Sequence, residues 1–175
     1  FQPDDDRTRT ILFIIDVSAS MGTQLASGEA KISFAKRQLG DVIQQLRPTD
    51  RVALIAFSGT ARTSCGVSGD PSRGAFIQAL ADLQLGHQTD FLKPLQEAAK
   101  VLAEDQGEEQ LVVLLSDGEQ TDSRKAAEEE LKAAVAAFCP SPAAPGAQPR
   151  TRLFSFGIGT GPQDASPWES VYTSG

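Results

Sequence analysis

Short apolar runs that alternate with amphipathic helical patterns constrain the fold of this chain more than any other feature. The first run, residues 10–15, is continuous and rich in β-branched side chains, which is typical of a strand buried on both faces. Further strands are predicted at residues 51–57, 61–67, 111–115 and 152–157. The tight turn before residue 61 predicts that the third strand is antiparallel to the second.

Apolar residues at helical spacing separate these strands. The predicted helices are residues 29–47, 70–83, 90–104 and 123–138, with a last helix beginning at 168–172. Four prolines make residues 139–150 a loop. This order of elements predicts an α/β fold with a mostly parallel sheet and helices on both faces.

Composition excludes several classes of function. The chain has 16 Lys+Arg against 23 Asp+Glu, a net charge of -7, which argues against nucleic acid and against docking on an anionic membrane. It contains no run of about 18 apolar residues that could span a bilayer. With two cysteines and one histidine, a zinc site is out of reach. Cys65 and Cys139 are predicted to be free thiols, since they belong to distant elements.

Oxygen-bearing side chains follow two of the predicted strands, and one more precedes a helix. Asp16, Ser18 and Ser20 come directly after the first strand, Asp117 follows the fourth, and Thr89 stands before the helix that starts at residue 90, either as its N-cap or with its hydroxyl outward. The carboxyl ends of parallel strands meet at one edge of the sheet, where ligands bind. Two carboxylates with hydroxyls and water fit a hard cation such as Mg²⁺.

These residues resemble the metal-ion-dependent adhesion site (MIDAS) of the von Willebrand factor A (vWA) domain family. The resemblance covers roughly residues 10 to 175 and rests on the Asp-Val-Ser-Ala-Ser run at residues 16–20, Thr89 and the Asp117-Gly118 pair. It implies a Rossmann-like three-layer sandwich, with a mostly parallel six-stranded sheet, one antiparallel edge strand, and helices on both faces.

The resemblance also implies how a metal is held. Ser18 and Ser20 would ligate Mg²⁺ directly, Thr89 directly or through water, and Asp16 and Asp117 through water; Mn²⁺ and Ca²⁺ are the alternatives. A Glu or Asp of a partner protein would complete the octahedron. The Gly-His-Gln before Thr89 and the short, proline-broken segment after residue 159 depart from the common pattern. The second departure leaves open whether a C-terminal helix switches affinity.

The function expected is a non-catalytic, divalent-metal-dependent protein-binding module. The alternatives are a structural role in a larger assembly and a Mg²⁺-dependent phosphohydrolase. An aspartyl phosphatase wants a second aspartate two residues after the first, where this chain has Ser18. Four nearby polar residues are predicted to be ordinary loop or helix-start groups and not ligands: His87, Asp90, Glu119 and Asp122.

Domain organisation follows from the same pattern. Residues 1–9 are expected to be a lead-in and residues 10–175 a single vWA-like domain. Phe1 in place of an initiator Met, and bounds that lie close around one module, predict a part of a longer multidomain chain. The compartment is left open, although abundant alanine and proline with sparse cysteine favour a bacterial cytoplasmic or envelope protein.

Overall fold

A mixed five-stranded sheet organises the protein in a computed structural model that describes residues 7–118, 128–140 and 150–159. The strands are β1 (Arg9–Asp16), β2 (Arg51–Phe57), β3 (Ala61–Ser68), β4 (Glu109–Ser116) and β5 (Thr151–Gly157). Their order is β3-β2-β1-β4-β5, with β3 antiparallel to β2 and the other neighbours parallel. All five strands predicted from the sequence are present. The sixth strand is not among the described residues and stays a prediction.

Four α-helices and one short 3-10 turn connect these strands in the described part of the chain. They are the turn Ala19–Gly22, α1 (Lys31–Gln45), α2 (Gly74–Ala81), α3 (Leu92–Glu104) and α4 (Glu128–Phe138). The start predicted for the fourth helix, most of the proline-rich loop and the helix predicted at residues 168–172 lie outside the described residues.

The second helix begins four residues later than predicted, because the polar residues before it form a turn of their own. Asp70 accepts hydrogen bonds from Ser72 N (3.0 Å) and Ser72 Oγ (2.7 Å). Arg73 then adopts a left-handed conformation with φ 56°, which no helix interior allows. Asp70 therefore stabilises this turn and does not cap the helix, and α2 starts at Gly74.

Strand β1 lies at the centre of the sheet and is buried on both faces, as the sequence predicts. Ile11, Phe13 and Ile15 belong to one apolar cluster, while Leu12 and Ile14 belong to a second. Successive side chains of a strand point to opposite faces, so the two clusters lie on opposite sides of β1. Helices contribute to both: Ala35, Leu39, Phe76 and Leu80 from α1 and α2 to the first, and Leu95, Leu102, Leu131 and Phe138 from α3 and α4 to the second.

A buried carboxylate lies at the amino end of the parallel strands, the edge opposite the predicted site. Asp50, directly before β2, is fully buried. It accepts hydrogen bonds from Arg9 Nε (3.0 Å) and Arg9 Nη2 (2.6 Å), and from Arg47 Nε (3.1 Å) and Arg47 N (2.9 Å). Two guanidinium groups therefore tie the starts of β1 and β2 to the end of α1.

The two cysteines are free, which confirms the prediction. Cys65 is buried in edge strand β3, whereas Cys139 follows α4 and its thiol donates to Thr151 O at 3.0 Å. Among the helices that the structure describes, none combines the length and the hydropathy of a bilayer span.

Candidate metal centre

Adjacent strands β1 and β4 bring the predicted site residues to one edge of the sheet. The two strands are parallel and in register, with Ile15 beside Leu115, so Asp16 and Ser116 end them at the same level. Beyond Asp16 the chain is held by a hydrogen bond from Val17 N to Phe57 O of β2 (2.8 Å) and then enters the 3-10 turn. The strand register therefore fixes where the polar residues gather.

Four of the five predicted residues are joined by hydrogen bonds or by a shared turn. Ser18 Oγ lies 3.0 Å from Ser20 Oγ, and Ser20 Oγ donates to Asp117 Oδ1 at 3.1 Å. Ser18 N donates to Asp16 Oδ1 at 2.8 Å. Ser116, which the sequence did not single out, donates its hydroxyl to Asp16 Oδ2 at 2.6 Å. Asp16, Ser18, Ser20 and Asp117 thus form one oxygen-rich group; that they ligate a metal stays a prediction.

The fifth residue, Thr89, lies on the loop that precedes α3 and does not cap that helix. The N-cap position is Phe91, and Leu92 N donates a hydrogen bond to Asp90 Oδ1 at 2.9 Å. Asp90 therefore has the helix-start role that the sequence predicts. Thr89 is fully buried, and its Oγ1 has no hydrogen-bond partner in the described part of the protein. A buried hydroxyl without a partner costs free energy unless a ligand uses it.

Gly86 fastens the Thr89 loop to the turn after β1. Gly86 N donates to Val17 O at 2.6 Å, and Asp90 N donates to Ser58 O at 2.9 Å. A Cβ at Gly86 would overlap Ser58 Oγ and lie 2.6 Å from Ser58 Cβ. The glycine in the Gly-His-Gln segment is therefore required for close approach, and it brings the loop beside the site.

Burial and hydrogen bonding act in opposite directions on the pKa of Asp16. Burial raises the pKa of Asp16 above its ordinary value, and the negative charge of Asp117 adds to this, while hydrogen bonds from Ser116 and Ser18 act against it. Burial disfavours the anion because a carboxylate loses its water there. A cation at this edge would offset that cost.

Lys31, like Ser116, is a residue of this site that the sequence did not reveal. It is the first residue of α1, and its Nζ donates to Asp117 Oδ2 at 3.0 Å. A lysine at the start of an amphipathic helix is usually predicted to be a solvated charge. Its position beside Asp117 depends instead on how α1 packs against the sheet. No local pattern predicts that placement.

Of the remaining polar candidates, the structure describes only His87, which does not join the group. His87 is exposed, and Glu119 and Asp122 lie outside the described residues. Within the ranges that the structure describes, no three His, Cys, Asp or Glu side chains form a metal-binding cluster. A cation at this edge would rely on two carboxylates and on neutral hydroxyls. That donor set fits Mg²⁺, which keeps part of its hydration shell.

Fold and site together define a class: an α/β domain with an all-oxygen group at the carboxyl edge of a mostly parallel sheet. The family model for the von Willebrand factor type A domain matches residues 11–120, more than half of the chain. The chain belongs to this family. No curated protein matches the sequence.

Solved structures share the fold at low sequence identity. The conserved hypothetical protein BatB from Bacteroides thetaiotaomicron is 19% identical with a TM-score of 0.64, over 85% of this chain and 65% of that one. The vWF domain of the type V pili tip protein Mfa5 from Porphyromonas gingivalis is 19% identical with a TM-score of 0.57, over 64% of this chain and 38% of that one. The PilB minor pilin from Streptococcus sanguinis is 19% identical with a TM-score of 0.59, over 67% of this chain and 31% of that one. The chain thus spans less than two thirds of each of these chains.

Proposed function

We propose that this vWA domain is a non-catalytic protein-binding module that depends on a divalent metal. Asp16, Ser18, Ser20, Thr89 and Asp117 would hold Mg²⁺, with Mn²⁺ or Ca²⁺ as alternatives. When bound, the ion would supply an electrophilic position that accepts a carboxylate oxygen from an Asp or Glu of a partner protein. The residues themselves would orient the ion and balance its charge.

The buried hydroxyl of Thr89 is the observation that carries this proposal. It is fully buried without a hydrogen-bond partner, on a loop that Gly86 fastens to the Asp16 turn. Thr10 and Ser64 also have buried hydroxyls without a partner, but Thr10 lies at the start of β1 and Ser64 on edge strand β3. Thr89 is the one of these three on the loop beside the Asp16 turn, where a ligand would supply the missing partner. The donor set of the neighbouring residues, which contains only oxygen, fits the same ligand.

Two further considerations support a binding function over catalysis. Among the described residues, His87 is exposed and Cys65 lies on edge strand β3, so neither a Ser–His nor a Cys–His pair is found beside the carboxylates. Proteins of the same fold include a minor pilin and a pili tip protein, by their names. We extend an interaction role to this chain on that basis.

Thr89→Val is expected to change metal affinity and metal-free stability in opposite directions. Valine has the shape of threonine without the hydroxyl, so it removes a buried polar group that has no partner. In EDTA the variant should therefore be as stable as the wild type or more stable by about 1–3 kcal/mol. In Mn²⁺ it should gain less stabilisation than the wild type, as measured by urea unfolding with and without the ion. Thr89→Ser, which keeps the hydroxyl, is the matched control. A valine variant that lost stability in EDTA and kept its full response to Mn²⁺ would show that the hydroxyl is structural.

Partner binding is expected to require the metal. Proteins captured by the wild-type domain in Mg²⁺ should be released by EDTA and should not bind the Asp16→Asn variant, because the partner carboxylate needs the ion. Quantitative pull-down with these three conditions measures the effect. Partners that stay bound in EDTA and bind Asp16→Asn equally would favour the structural role in a larger assembly instead.

A further inference from the structure

An ammonium group lies directly on the candidate metal centre. Lys31 Nζ is 3.0 Å from Asp117 Oδ2, and the two side chains are only 12% and 1% exposed. The other carboxylate oxygen, Asp117 Oδ1, accepts the hydroxyl of Ser20. A carboxylate proposed as a metal ligand is thus already paired with a cation that belongs to the chain.

Lys31 is held in this position by backbone and packing contacts. Its own N–H donates to Thr23 O at 2.9 Å, which fixes the start of α1 against the loop after the 3-10 turn. Its aliphatic stem packs beside Gly159, where an added Cβ would lie 3.2 Å from Lys31 Cε and 3.8 Å from Cδ. The glycine has φ 69° and leaves room for the stem. The ammonium is therefore placed by two fixed segments of backbone.

The electrostatic consequence concerns cation affinity. Asp16 and Asp117 are both buried, and two buried carboxylates close together attract any cation that reaches them. The Lys31 ammonium already balances part of that charge. A divalent ion arriving at the same group would meet a like charge at short range and would find one carboxylate hydrogen-bonded to it. Both effects weaken metal binding in a partly buried site, where charges are poorly screened.

We propose that Lys31 is a resident counter-ion that offsets part of the negative charge of the centre without metal and lowers its affinity for divalent cations. The inference rests on the proposed function, since it assigns a residue that tunes that same site. Metal loading would then require the ion to compete with a tethered ammonium. A metal-loaded centre that retains Lys31 has net positive charge and so favours an anionic ligand.

Calorimetric titration with Mn²⁺ tests the inference on the wild type, Lys31→Met and Lys100→Met. Lys100 is 74% exposed on α3 and supplies the same change of charge away from the centre. Lys31→Met should bind Mn²⁺ at least about tenfold more tightly than the wild type, because the competing charge is gone. Lys100→Met should bind like the wild type. Lys31→Gln makes the same change of charge with a polar end, and replaces the methionine variant if that one folds poorly.

Thermal melting in EDTA adds a readout that needs no metal. Lys31→Met should melt at a lower temperature than the wild type, because two buried carboxylates lose their ammonium. Adding Asp117→Asn to Lys31→Met should restore most of that loss. Melting of Lys31→Met that is unchanged and not coupled to Asp117 would overturn the counter-ion role.

The outcomes separate the inference from the proposed function. If the wild type binds Mn²⁺ and Lys31→Met binds no more tightly, the Lys31 inference is wrong and the metal function stands. If only Lys31→Met binds Mn²⁺, the inference is supported and the wild-type domain is not a metal-dependent module. If neither binds Mn²⁺, both are overturned.

Discussion

Asp16→Asn is expected to abolish the stabilisation that Mn²⁺ gives the wild-type domain. Asp16 is fully buried at the end of β1, with Oδ1 bonded to Ser18 N and Oδ2 to Ser116 Oγ. Asparagine keeps the size of the side chain, can accept the bond from Ser18 N through its oxygen and can donate its NH2 to Ser116 Oγ, but it has no charge to attract a cation. A ligand at 100 times its Kd stabilises a folded protein by about 2.7 kcal/mol, and the variant should lose nearly all of this. Urea unfolding with and without Mn²⁺ measures the difference.

The matched control for this substitution is Asp90→Asn. It makes the same chemical change one residue from Thr89, at a carboxylate that accepts Leu92 N instead of joining the oxygen-rich group. It should keep the response to Mn²⁺. In EDTA, Asp16→Asn should be no less stable than the wild type, because burial raises the pKa of Asp16 and disfavours its anion. An undiminished response to Mn²⁺ in Asp16→Asn would mean that the ion binds elsewhere.

Asp50→Ala is expected to lower the free energy of unfolding by about 3–5 kcal/mol, the usual cost of breaking a buried ion pair from one side. Asp50 is fully buried and pairs with Arg9 and Arg47. Its removal leaves two guanidinium groups without this partner and unties β1 and β2 from the end of α1. Urea unfolding measures the loss, and Asp41→Ala, an exposed change on α1, should cost less than about 1 kcal/mol. A loss of similar size for both would contradict the assigned role.

The same carboxylate should make stability depend on pH. Burial alone would raise the pKa of Asp50, but hydrogen bonds and charge from Arg9, with the bonds from Arg47, outweigh it and hold the pKa below the ordinary 3.8. Since the folded-state pKa lies below the unfolded one, the contribution is complete above the unfolded pKa and is lost as pH falls through the folded value. The stability difference between wild type and Asp50→Asn should therefore shrink below about pH 4. A difference that is constant with pH would contradict this.

The strands could be predicted from the sequence because a strand buried on both faces needs a continuous run of apolar residues. Residues 10–15 are continuously apolar or β-branched, and β1 extends that prediction by one residue at each end, to Arg9 and Asp16. The polar ends of β1 and β4 are equally visible, since a parallel sheet brings the carboxyl ends of its strands to one edge; the strand order then makes β1 and β4 neighbours. That is why Asp16, Ser18, Ser20 and Asp117 could be placed in one group before their contacts were known.

One feature that the sequence did not reveal is a local turn that competes with a helix start, and two others depend on contacts between distant segments. Asp70 looks like a helix start, but its carboxylate bonds Ser72 and the helix begins later. Asp50 looks like a loop aspartate near Arg47, and the approach of Arg9 adds a second guanidinium from a distant segment. Lys31 reaches Asp117 across 86 residues of sequence. Such pairings are set by packing, which periodicity does not encode.

The most direct test of the metal site is anomalous diffraction from crystals of the domain grown with Mn²⁺. We expect an anomalous peak at the carboxyl ends of β1 and β4, within direct bonding distance of Ser18 Oγ and Ser20 Oγ, and no such peak in crystals of Asp16→Asn. A peak only elsewhere on the surface, or no peak with the wild type at millimolar Mn²⁺, would contradict the proposal that these residues hold a divalent ion.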